Sequence, residues 1–347
     1  MSHSDLSNAD LPMINLIIGK NDVGKTGLLK LLYASTKALQ VHGLKNNNGN
    51  SLSTFKEELS NKMLTTFMPA KGLGDLVQKG SSGKAEINIR IEDNAAYSQS
   101  IYYSFGEQTT KKIPNCNKIE KFPSDRFNSL FLPPKEVLTA FNDIRNIREN
   151  IYGTGFDDTY YDLIKALALP VSKGRVASEL STVNKELEDL FQGKIQQTKD
   201  EKQPFVFKKG NQKFSMHQTA EGIKKIGILN TLIANRQLGK GTILFLDEPE
   251  TTLHPDAVRK LIEMLVSMSK AGVQIFMASH SYFVIKQLAI CASRDKIDAL
   301  CWNLKRTEED IVQAQFTNLI EGILPENSII NESLAMFDQE LNVDLDA

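Results

Sequence analysis

The segment Gly19–Thr26 (GKNDVGKT) has the residue types and spacing of a phosphate-binding loop, G-x-x-x-x-G-K-[ST]. In such a loop, successive backbone N–H groups at a helix N-terminus surround a phosphate, and the helix dipole favours its negative charge. Lys25 would reach the β- and γ-phosphates of a nucleotide, and the Thr26 hydroxyl would bind Mg²⁺. The residues expected around the phosphates are Asn21, Asp22, Val23, Gly24, Lys25 and Thr26.

Two adjacent carboxylates, Asp247 and Glu248, follow the run Thr242–Leu246, which is typical of a strand inside a parallel sheet. Parallel strands deliver side chains to their C-terminal edge, where ligands bind in such sheets. An Asp there can complete the Mg²⁺ shell through water, and a Glu directly after it can point at the water that attacks the γ-phosphate. Without a cation or hydrogen bonds to compensate them, two adjacent acids at the end of a buried strand are costly.

A histidine follows the next apolar run along the chain. His280 comes after Val273–Ala278 and Ser279. A histidine just past a strand of the same sheet can hydrogen-bond the γ-phosphate and report its presence, and we favour this role over a structural one. For His254, in the segment Thr252–Pro255, two interpretations stay open: a role at an interface and a role in a turn.

The elements that must position these residues follow from hydrophobic periodicity. Ile14–Ile18 is a short β-branched run that predicts a buried strand, and the leucines after Thr26 have helical spacing. The glycine-rich loop therefore connects a strand to a helix. In the second half the pattern predicts a strand at 242–246, a helix at 256–269 and a strand at 273–278, which we expect to be the last of the sheet. This order predicts right-handed crossover units.

Between the two halves of this α/β core, the sequence predicts an antiparallel β part and a helical insert. Residues 87–91 and 101–105 alternate like two antiparallel strands with one buried face. Residues 43–53 and 79–84 are polar breaks, the first of them flexible by composition. From 136 to about 190 the spacing is mostly helical. The expected division is an N-terminal half of the core (1–135), a helical insert (136–205) and a C-terminal half of the core (206–347).

Composition excludes several classes of protein. With 347 residues, 41% hydrophobic and 24% charged, the chain can bury a sizeable core and is unlike a disordered one. No apolar run approaches the roughly 20 residues of a bilayer span, and the polar N-terminus lacks the pattern of a signal peptide. We therefore expect a cytoplasmic protein that does not insert into membranes. Three scattered cysteines predict neither a disulfide framework nor a zinc site.

A net charge of −1 gives no general attraction to nucleic acid, but the charge is locally uneven. Residues 111–148 carry eight Lys/Arg against four Asp/Glu, and residues 207–225 carry five against one. From Glu321 to Ala347 there are seven acids and no Lys or Arg. These segments are either solvated faces and an acidic tail, or surfaces that meet DNA or another charged partner.

Together, these motifs resemble those of ABC-type ATPases, and among them the OLD-like and SMC-like ATPases of bacteria and phages more than transporter subunits. The resemblance is carried by INLIIGKNDVGKTGLLKLLYA, FLPPKEVLTAF, TAEGIKKIGILNTLI, TILFLDEPETTLHP and the ASH triplet. It is anchored on residues 12–35, 128–142 and 218–290, which is roughly a third of the chain. It implies an α/β P-loop NTPase fold of the ABC-ATPase type with a mixed sheet.

The resemblance also implies an ATP-binding head that forms a homodimer or higher homo-oligomer through its ATP sites. Each nucleotide would lie between the phosphate-binding loop of one subunit and the signature helix of another. By the same resemblance Lys25 and Thr26 bind phosphate and Mg²⁺, Asp247 is the Walker B acid, Glu248 is the general base and His280 is the switch histidine.

Other positions match the family pattern less closely. Gly222 lies in the signature motif, residues 252–254 match the D-loop, and Lys135 or Glu136 lies near the Q-loop.

The signature segment departs from the family pattern. It reads Thr219–Ile223 (TAEGI), without the serine that would contact the γ-phosphate of the partner's nucleotide. Glu221 would repel that phosphate unless a cation bridges it, so we expect either slow hydrolysis or a contribution from Lys224 or Lys225.

The stretch after His280 and its helix is too short for the TOPRIM nuclease domain of full-length OLD proteins. By analogy, we expect one half of a bacterial anti-phage system, with the toxin or nuclease on a separate chain. The first hypothesis is an ATPase that dimerises on ATP and acts as a scaffold or sensor for that effector. The alternatives are a DNA-repair-type head that binds DNA with a nuclease partner, and a nucleotide sensor that does not hydrolyse ATP; a transporter ATPase fits poorly.

Overall fold

The computed structural model describes residues 11–47, 54–78, 83–93, 97–119, 127–150, 155–171 and 178–345. The strands, in chain order, are β1 (Ile14–Gly19), β2 (Lys84–Asp93), β3 (Tyr97–Gly106), β4 (Asn115–Cys116), β5 (Asn128–Leu132), β6 (Lys194–Gln197), β7 (Phe205–Lys209), β8 (Gln212–Ser215), β9 (Thr242–Asp247), β10 (Gln274–Ala278), β11 (Ala299–Arg306) and β12 (Val312–Asn318). The helices are α1 (Lys25–Asn47), α2 (Phe55–Phe67), α3 (Phe141–Asn150), α4 (Asp158–Ala168), α5 (Ser178–Phe191), α6 (Glu221–Ala234), α7 (Pro255–Lys270), α8 (Tyr282–Asp295) and α9 (Ser328–Leu345). No helix among these residues is long and apolar enough to span a bilayer.

A six-stranded sheet forms the core, in the order β12-β11-β1-β10-β9-β5. Its neighbours pair in parallel except β12, which is antiparallel to β11. All residues of β1 and β9 are buried. Leu16 and Ile18 join one apolar cluster and Ile17 joins another, so both faces of the sheet are covered, which explains the continuous apolar runs. The α/β fold class with a mixed sheet, predicted from the sequence, is confirmed.

The sheet continues beyond β10, so the expectation that this strand is its last is wrong. β11 pairs in parallel with β1, and β12 adds an antiparallel edge. β11 was hard to recognise because it ends in the charged Lys305 and Arg306. β12 alternates exposed and partly buried residues, as an edge strand with one covered face does. Because β11 lies beside β1, its end reaches the phosphate-binding loop.

Helix α1 extends to Asn47, so the prediction of a flexible segment is wrong for residues 43–47; residues 48–53 lie outside the described part. Tertiary contacts override composition here. α1 packs against α2, and Lys45 near its end pairs with Glu58 of α2. The polar composition of this stretch therefore reflects a helix end with charged contacts.

The antiparallel strands expected around 87–91 and 101–105 are β2 and β3, joined by β4 in a three-stranded sheet. Tyr103 and Phe105 on β3 are buried in an apolar cluster that also includes residues of α1 and α2. Of the break expected at 79–84, residues 79–82 lie outside the described part, and β2 begins at Lys84.

The segment 136–205 contains α3, α4 and α5, but also β6 and the first residue of β7. β6, β7 and β8 form a small antiparallel sheet that the sequence pattern does not predict and that crosses the expected boundary after residue 205. Ile195 and Phe207 of this sheet are buried in the same apolar cluster as the main sheet. The segment is therefore packed on the core through both helices and strands.

A buried network of charged side chains connects α2 to α4. Lys62 Nζ donates to Asp158 Oδ2 at 2.5 Å and to Asp162 Oδ2 at 2.7 Å, and Lys165 contacts the other carboxylate oxygen of Asp162 at 2.7 Å. Burial acts to raise the pKa of Asp162, but neighbouring lysines, Lys62 foremost, outweigh it and hold the pKa below its usual range. The buried carboxylate is thus charged and depends on these lysines for compensation.

Lys62→Met should destabilise the protein by about 3–5 kcal/mol, because it removes a cation shared by two buried carboxylates and leaves the charges of Asp158 and Asp162 less compensated. Urea-induced unfolding measures the effect, and Lys84→Met, which breaks an exposed pair with Glu86, is the control expected to change little. Because the pKa of Asp162 is lowered in the folded state, its contribution is present above the value of about 3.9 for an unfolded aspartate. It should disappear as the pH falls below that value. Equal effects of Lys62→Met and Lys84→Met would contradict this assignment.

Candidate nucleotide site

The loop Gly19–Thr26 connects β1 to α1. β1 ends at Gly19 and α1 begins at Lys25, so the loop leads into the first turn of a helix, whose N–H groups lack intrahelical partners. Gly19 has a φ of 150°, and a Cβ there would lie 2.6 Å from the carbonyl oxygen of Leu304 on β11. Glycine is therefore required both for the backbone conformation and for the close approach of β11.

Lys25 folds back on its own loop. Its ammonium donates to the carbonyl oxygens of Gly19 and Lys20, each at 2.9 Å, and the residue is 8% exposed. Burial lowers the pKa of Lys25, while the carboxylates of Glu248 and Asp247 act in the opposite direction. The ammonium lies where phosphate oxygens could replace the two carbonyl oxygens as acceptors.

Thr26 contacts Asp247, although the two are 221 positions apart in the sequence. The Thr26 hydroxyl lies 2.9 Å from Asp247 Oδ2 and 3.1 Å from Oδ1. Burial raises the pKa of Asp247, and the hydrogen bond from Thr26 offsets this only in part. A carboxylate with this shift lacks full compensation for its charge.

These two oxygen groups fit Mg²⁺. The ion is usually held by one or two carboxylates with phosphate oxygens and water, not by an all-protein cage. Thr26 and Asp247 therefore suit a metal that arrives with a nucleotide.

Glu248 and His280 lie at the ends of adjacent strands. β9 and β10 pair in parallel with Ala278 opposite Asp247, and the Glu248 N–H donates to the Ala278 carbonyl at 3.0 Å. As a result, His280 Nδ1 lies 3.1 Å from Glu248 Oε1. Their side chains are 50% and 34% exposed, so solvent reaches both. The base and the switch histidine expected from the sequence thus lie within hydrogen-bond distance of each other.

Two further polar residues lie beside this pair, and sequence reasoning gave them no role. Ser279 is fully buried and donates its hydroxyl to Glu250 Oε1 at 2.6 Å. The second oxygen, Glu250 Oε2, is buried and has no hydrogen-bond partner among the described residues. Both residues belong to motifs noted in the sequence, and their bond joins the turn after β9 to the end of β10.

The signature segment begins helix α6. Glu221 is its first residue, followed by Gly222, where a Cβ would lie 2.8 Å from the Leu253 side chain. The charge of Glu221 is paired, because Lys224 Nζ donates to its Oε1 at 2.6 Å. The same ammonium lies 3.3 Å from Glu136 Oε1. One lysine therefore compensates both the carboxylate in the signature segment and the carboxylate expected near the Q-loop.

Lys225 connects α6 to the turn that carries Glu248. Its ammonium donates to the backbone carbonyl of Glu248 at 3.0 Å. Burial lowers the pKa of Lys225, and the carboxylates of Glu250 and Glu248 act in the opposite direction. Glu248 itself has a φ of 48°, a left-handed conformation that residues with side chains rarely adopt. Lys225 thus restrains the backbone next to the expected base.

The structure bears on two interpretations that the sequence leaves open. His254 Nδ1 accepts a hydrogen bond from the Asp256 N–H at 3.3 Å as the N-cap of α7, which supports a role in the turn.

The lysines of the basic segment 207–225 do not form one continuous surface. Three of its lysines lie on β7 and β8, whereas Lys224 and Lys225 make the contacts described above.

Arg306 contacts the phosphate-binding loop from the end of β11. Its guanidinium donates to the Asp22 carbonyl at 2.8 Å and pairs with Asp310 at 2.6 Å. Asp22 has a φ of 66°, so this contact supports a strained residue of the loop. Arg306 was missed because its strand was not predicted.

Residues 14–286 match the family described as "AAA domain, putative AbiEii toxin, Type IV TA system". The Old nuclease of Escherichia phage P2 is 45% identical over 40 residues, which are 12% of this chain and only 7% of that protein. The chain is similar in fold to an SMC head bound to the C-winged helix domain of ScpA, with a TM-score of 0.52 and 12% identity over 89% of this chain and 91% of the other. An SMC head domain from Thermotoga maritima has a TM-score of 0.45 and 14% identity, with 88% and 89% covered.

Arg306→Met should weaken nucleotide binding about threefold to tenfold, because an exposed charged hydrogen bond to the loop backbone contributes on the order of 1 kcal/mol. The affinity of a fluorescent ATP analogue measures this. Arg294→Met, which removes another exposed arginine, at the end of α8, is the control. An unchanged affinity in Arg306→Met would mean that the loop keeps its conformation without the hydrogen bond from Arg306.

Proposed function

Because the chain belongs to the family of AAA domains that its residues 14–286 match, we propose that it binds ATP with Mg²⁺, hydrolyses it and dimerises on ATP to control a separate effector protein. The observation that carries this proposal is the contact between Thr26 and Asp247 at 2.9 Å, with the Glu248–His280 pair directly beside it. A phosphate-binding loop, a pair of metal-ligand oxygens and an accessible carboxylate base at one edge of a sheet are the groups that nucleotide hydrolysis needs.

In the proposed reaction, water attacks the γ-phosphorus, the bond between that phosphorus and the bridging oxygen breaks, and ADP leaves. Glu248 accepts the proton of the attacking water, and His280 hydrogen-bonds the γ-phosphate while it orients Glu248. Lys25 exchanges its two carbonyl acceptors for phosphate oxygens. Mg²⁺, held by Thr26 and through water by Asp247, would neutralise charge on the phosphates.

We expect the second half of each ATP site to come from α6 of a partner subunit. The start of α6 offers N–H groups and the positive end of the helix dipole, which favour a phosphate. Glu221 opposes this attraction, and Lys224, whose ammonium lies 2.6 Å from its carboxylate, offsets part of the repulsion. We therefore favour an ATPase that hydrolyses ATP over a sensor that only binds it.

The effector that we propose is a nuclease or toxin on a separate chain, in anti-phage defence. The match over 40 residues to a phage nuclease supports this class of partner.

The alternative of a DNA-repair-type head stays a prediction. In the basic segment 111–148, residues 120–126 lie outside the described part of the chain. Arg148, at its end, pairs with the buried Asp158, which reduces the positive charge available to a phosphate backbone.

Glu248→Gln should slow phosphate release by at least about 100-fold, because general-base catalysis contributes roughly 10²–10⁴-fold, and should stabilise the ATP-bound dimer. Lys25→Ala should lose both turnover and ATP-dependent dimerisation. Phosphate release and light scattering on the wild type, both variants and Lys260→Ala, an exposed lysine of α7, measure these effects. Turnover at the wild-type rate in Glu248→Gln would refute the base assignment. ATP-driven dimers in Lys25→Ala would refute the role of the loop.

Lys224→Met should weaken ATP-driven dimerisation about tenfold or more, because the Glu221 carboxylate would then face the partner's phosphate without compensation. Adding Glu221→Gln to the same chain should restore most of the loss. Sedimentation of the single and double variants with ATP measures this. Thermal unfolding of the same variants measures separately how much stability is lost when Glu136 loses its contact with Lys224. A double variant that dimerises as poorly as Lys224→Met would show that the charge of Glu221 is not the cause.

A further inference from the structure

Helix α9 leaves the body of the protein after its first turn. Ile330 is 6% exposed and belongs to the main apolar cluster, whereas every residue from 334 to 340 is exposed. Among these, Leu334, Met336 and Phe337 are 54%, 65% and 56% exposed. Short helices without tertiary packing are only marginally stable in water. The outer part of α9 lacks the contacts that normally stabilise such a helix.

Two of these exposed apolar side chains continue a stripe that begins at Ile330. Leu334 and Phe337 follow Ile330 at spacings of four and three residues, which places them on one face of the helix. By the same helical geometry, Asp338 and Glu340 flank this face on opposite sides. Both carboxylates are exposed, and neither forms an ion pair with another described residue. The outer part of α9 is therefore an apolar stripe between acidic edges.

Charge distinguishes the possible occupants of this stripe. The sequence from Glu321 to Ala347 has seven acids and no Lys or Arg, and α9 has no basic residue in its last turn. Two copies of α9 would bring like charges together along both edges, which disfavours pairing as it does at the edges of coiled coils. A helix with basic edges would bury the same stripe and place a cation opposite each carboxylate.

We propose that the outer part of α9 docks an amphipathic helix of another polypeptide, with an apolar stripe flanked by Lys and Arg. Leu334 and Phe337 pack against its apolar side chains, and Asp338 and Glu340 face its basic edges. This deepens the proposed function and rests on it in one respect: the separate effector would be the chain that carries the basic helix.

Two labelled peptides test the proposal. Both are short helices with a leucine stripe, and the remaining positions are lysine in one and glutamate in the other. Fluorescence anisotropy with the full-length protein, without nucleotide, measures their Kd. We expect the lysine peptide to bind the wild type, and to bind Leu334→Gln/Phe337→Gln about tenfold more weakly. Asp338→Lys/Glu340→Lys should reverse the preference in favour of the glutamate peptide.

Phe283→Gln is the matched control, because Phe283 is an exposed aromatic residue of α8 with 58% exposure. This variant should bind the lysine peptide as the wild type does. Equal binding by the wild type and Leu334→Gln/Phe337→Gln would overturn the proposal, and so would a preference that the charge reversal leaves unchanged.

Sedimentation without nucleotide tests the remaining occupant, a second copy of the chain. A wild-type dimer that Leu334→Gln/Phe337→Gln converts to monomer would overturn the proposal, whereas a monomer in both supports it. Because none of these measurements uses ATP, failure here leaves the ATPase tests unaffected. Likewise, an inactive ATP site would leave peptide binding unchanged.

Discussion

The parallel pairing of β1, β10 and β9 is the constraint on which the candidate site depends. Ile17 lies opposite Ala278, and Ala278 lies opposite Asp247, so three carboxyl ends meet at one edge of the sheet. The pairing continues past the strands, since the Ser279 N–H donates to the Ile17 carbonyl at 3.0 Å. Thr26 meets Asp247 only because this register is kept. A slip of one residue would turn alternate side chains to the opposite face and separate the two.

Electrostatics at this edge favours the joint entry of a cation and an anion. Burial disfavours the charged forms of both signs: it raises the pKa of Asp247 and lowers those of Lys25 and Lys225. The opposite charges offset this only in part, and Glu250 keeps a buried oxygen without a hydrogen-bond partner among the described residues. A metal next to Asp247 would compensate the carboxylate, and phosphates next to Lys25 would compensate the ammonium. Binding of both together is therefore favoured more strongly than binding of either one alone.

Much of the site could be predicted from the sequence because its residues follow buried strands directly. Asp247, Glu248 and His280 are placed by the ends of β9 and β10, and an apolar run with a polar end is a local signal. Arg306 was not predicted, because its role depends on β11 lying beside β1, a pairing that no local pattern records. The small sheet β6–β8 was missed for a similar reason, since its short strands depend on packing against the core.

The contacts of α6 connect two parts of the proposed ATPase: the start of the helix, which would face the partner's nucleotide, and the base Glu248 of its own subunit. At its first turn Gly222 packs so closely on the loop before α7 that a Cβ would lie 3.3 Å from the Thr252 carbonyl oxygen. One turn later, Lys225 holds the carbonyl of Glu248, whose left-handed backbone is costly for a residue with a side chain. In the proposed dimer the start of α6 faces the partner's nucleotide, so a shift of this helix would act directly on the backbone of the base in its own subunit. Hydrolysis at one site would then depend on occupancy of the other, which suits a switch better than a constitutive hydrolase.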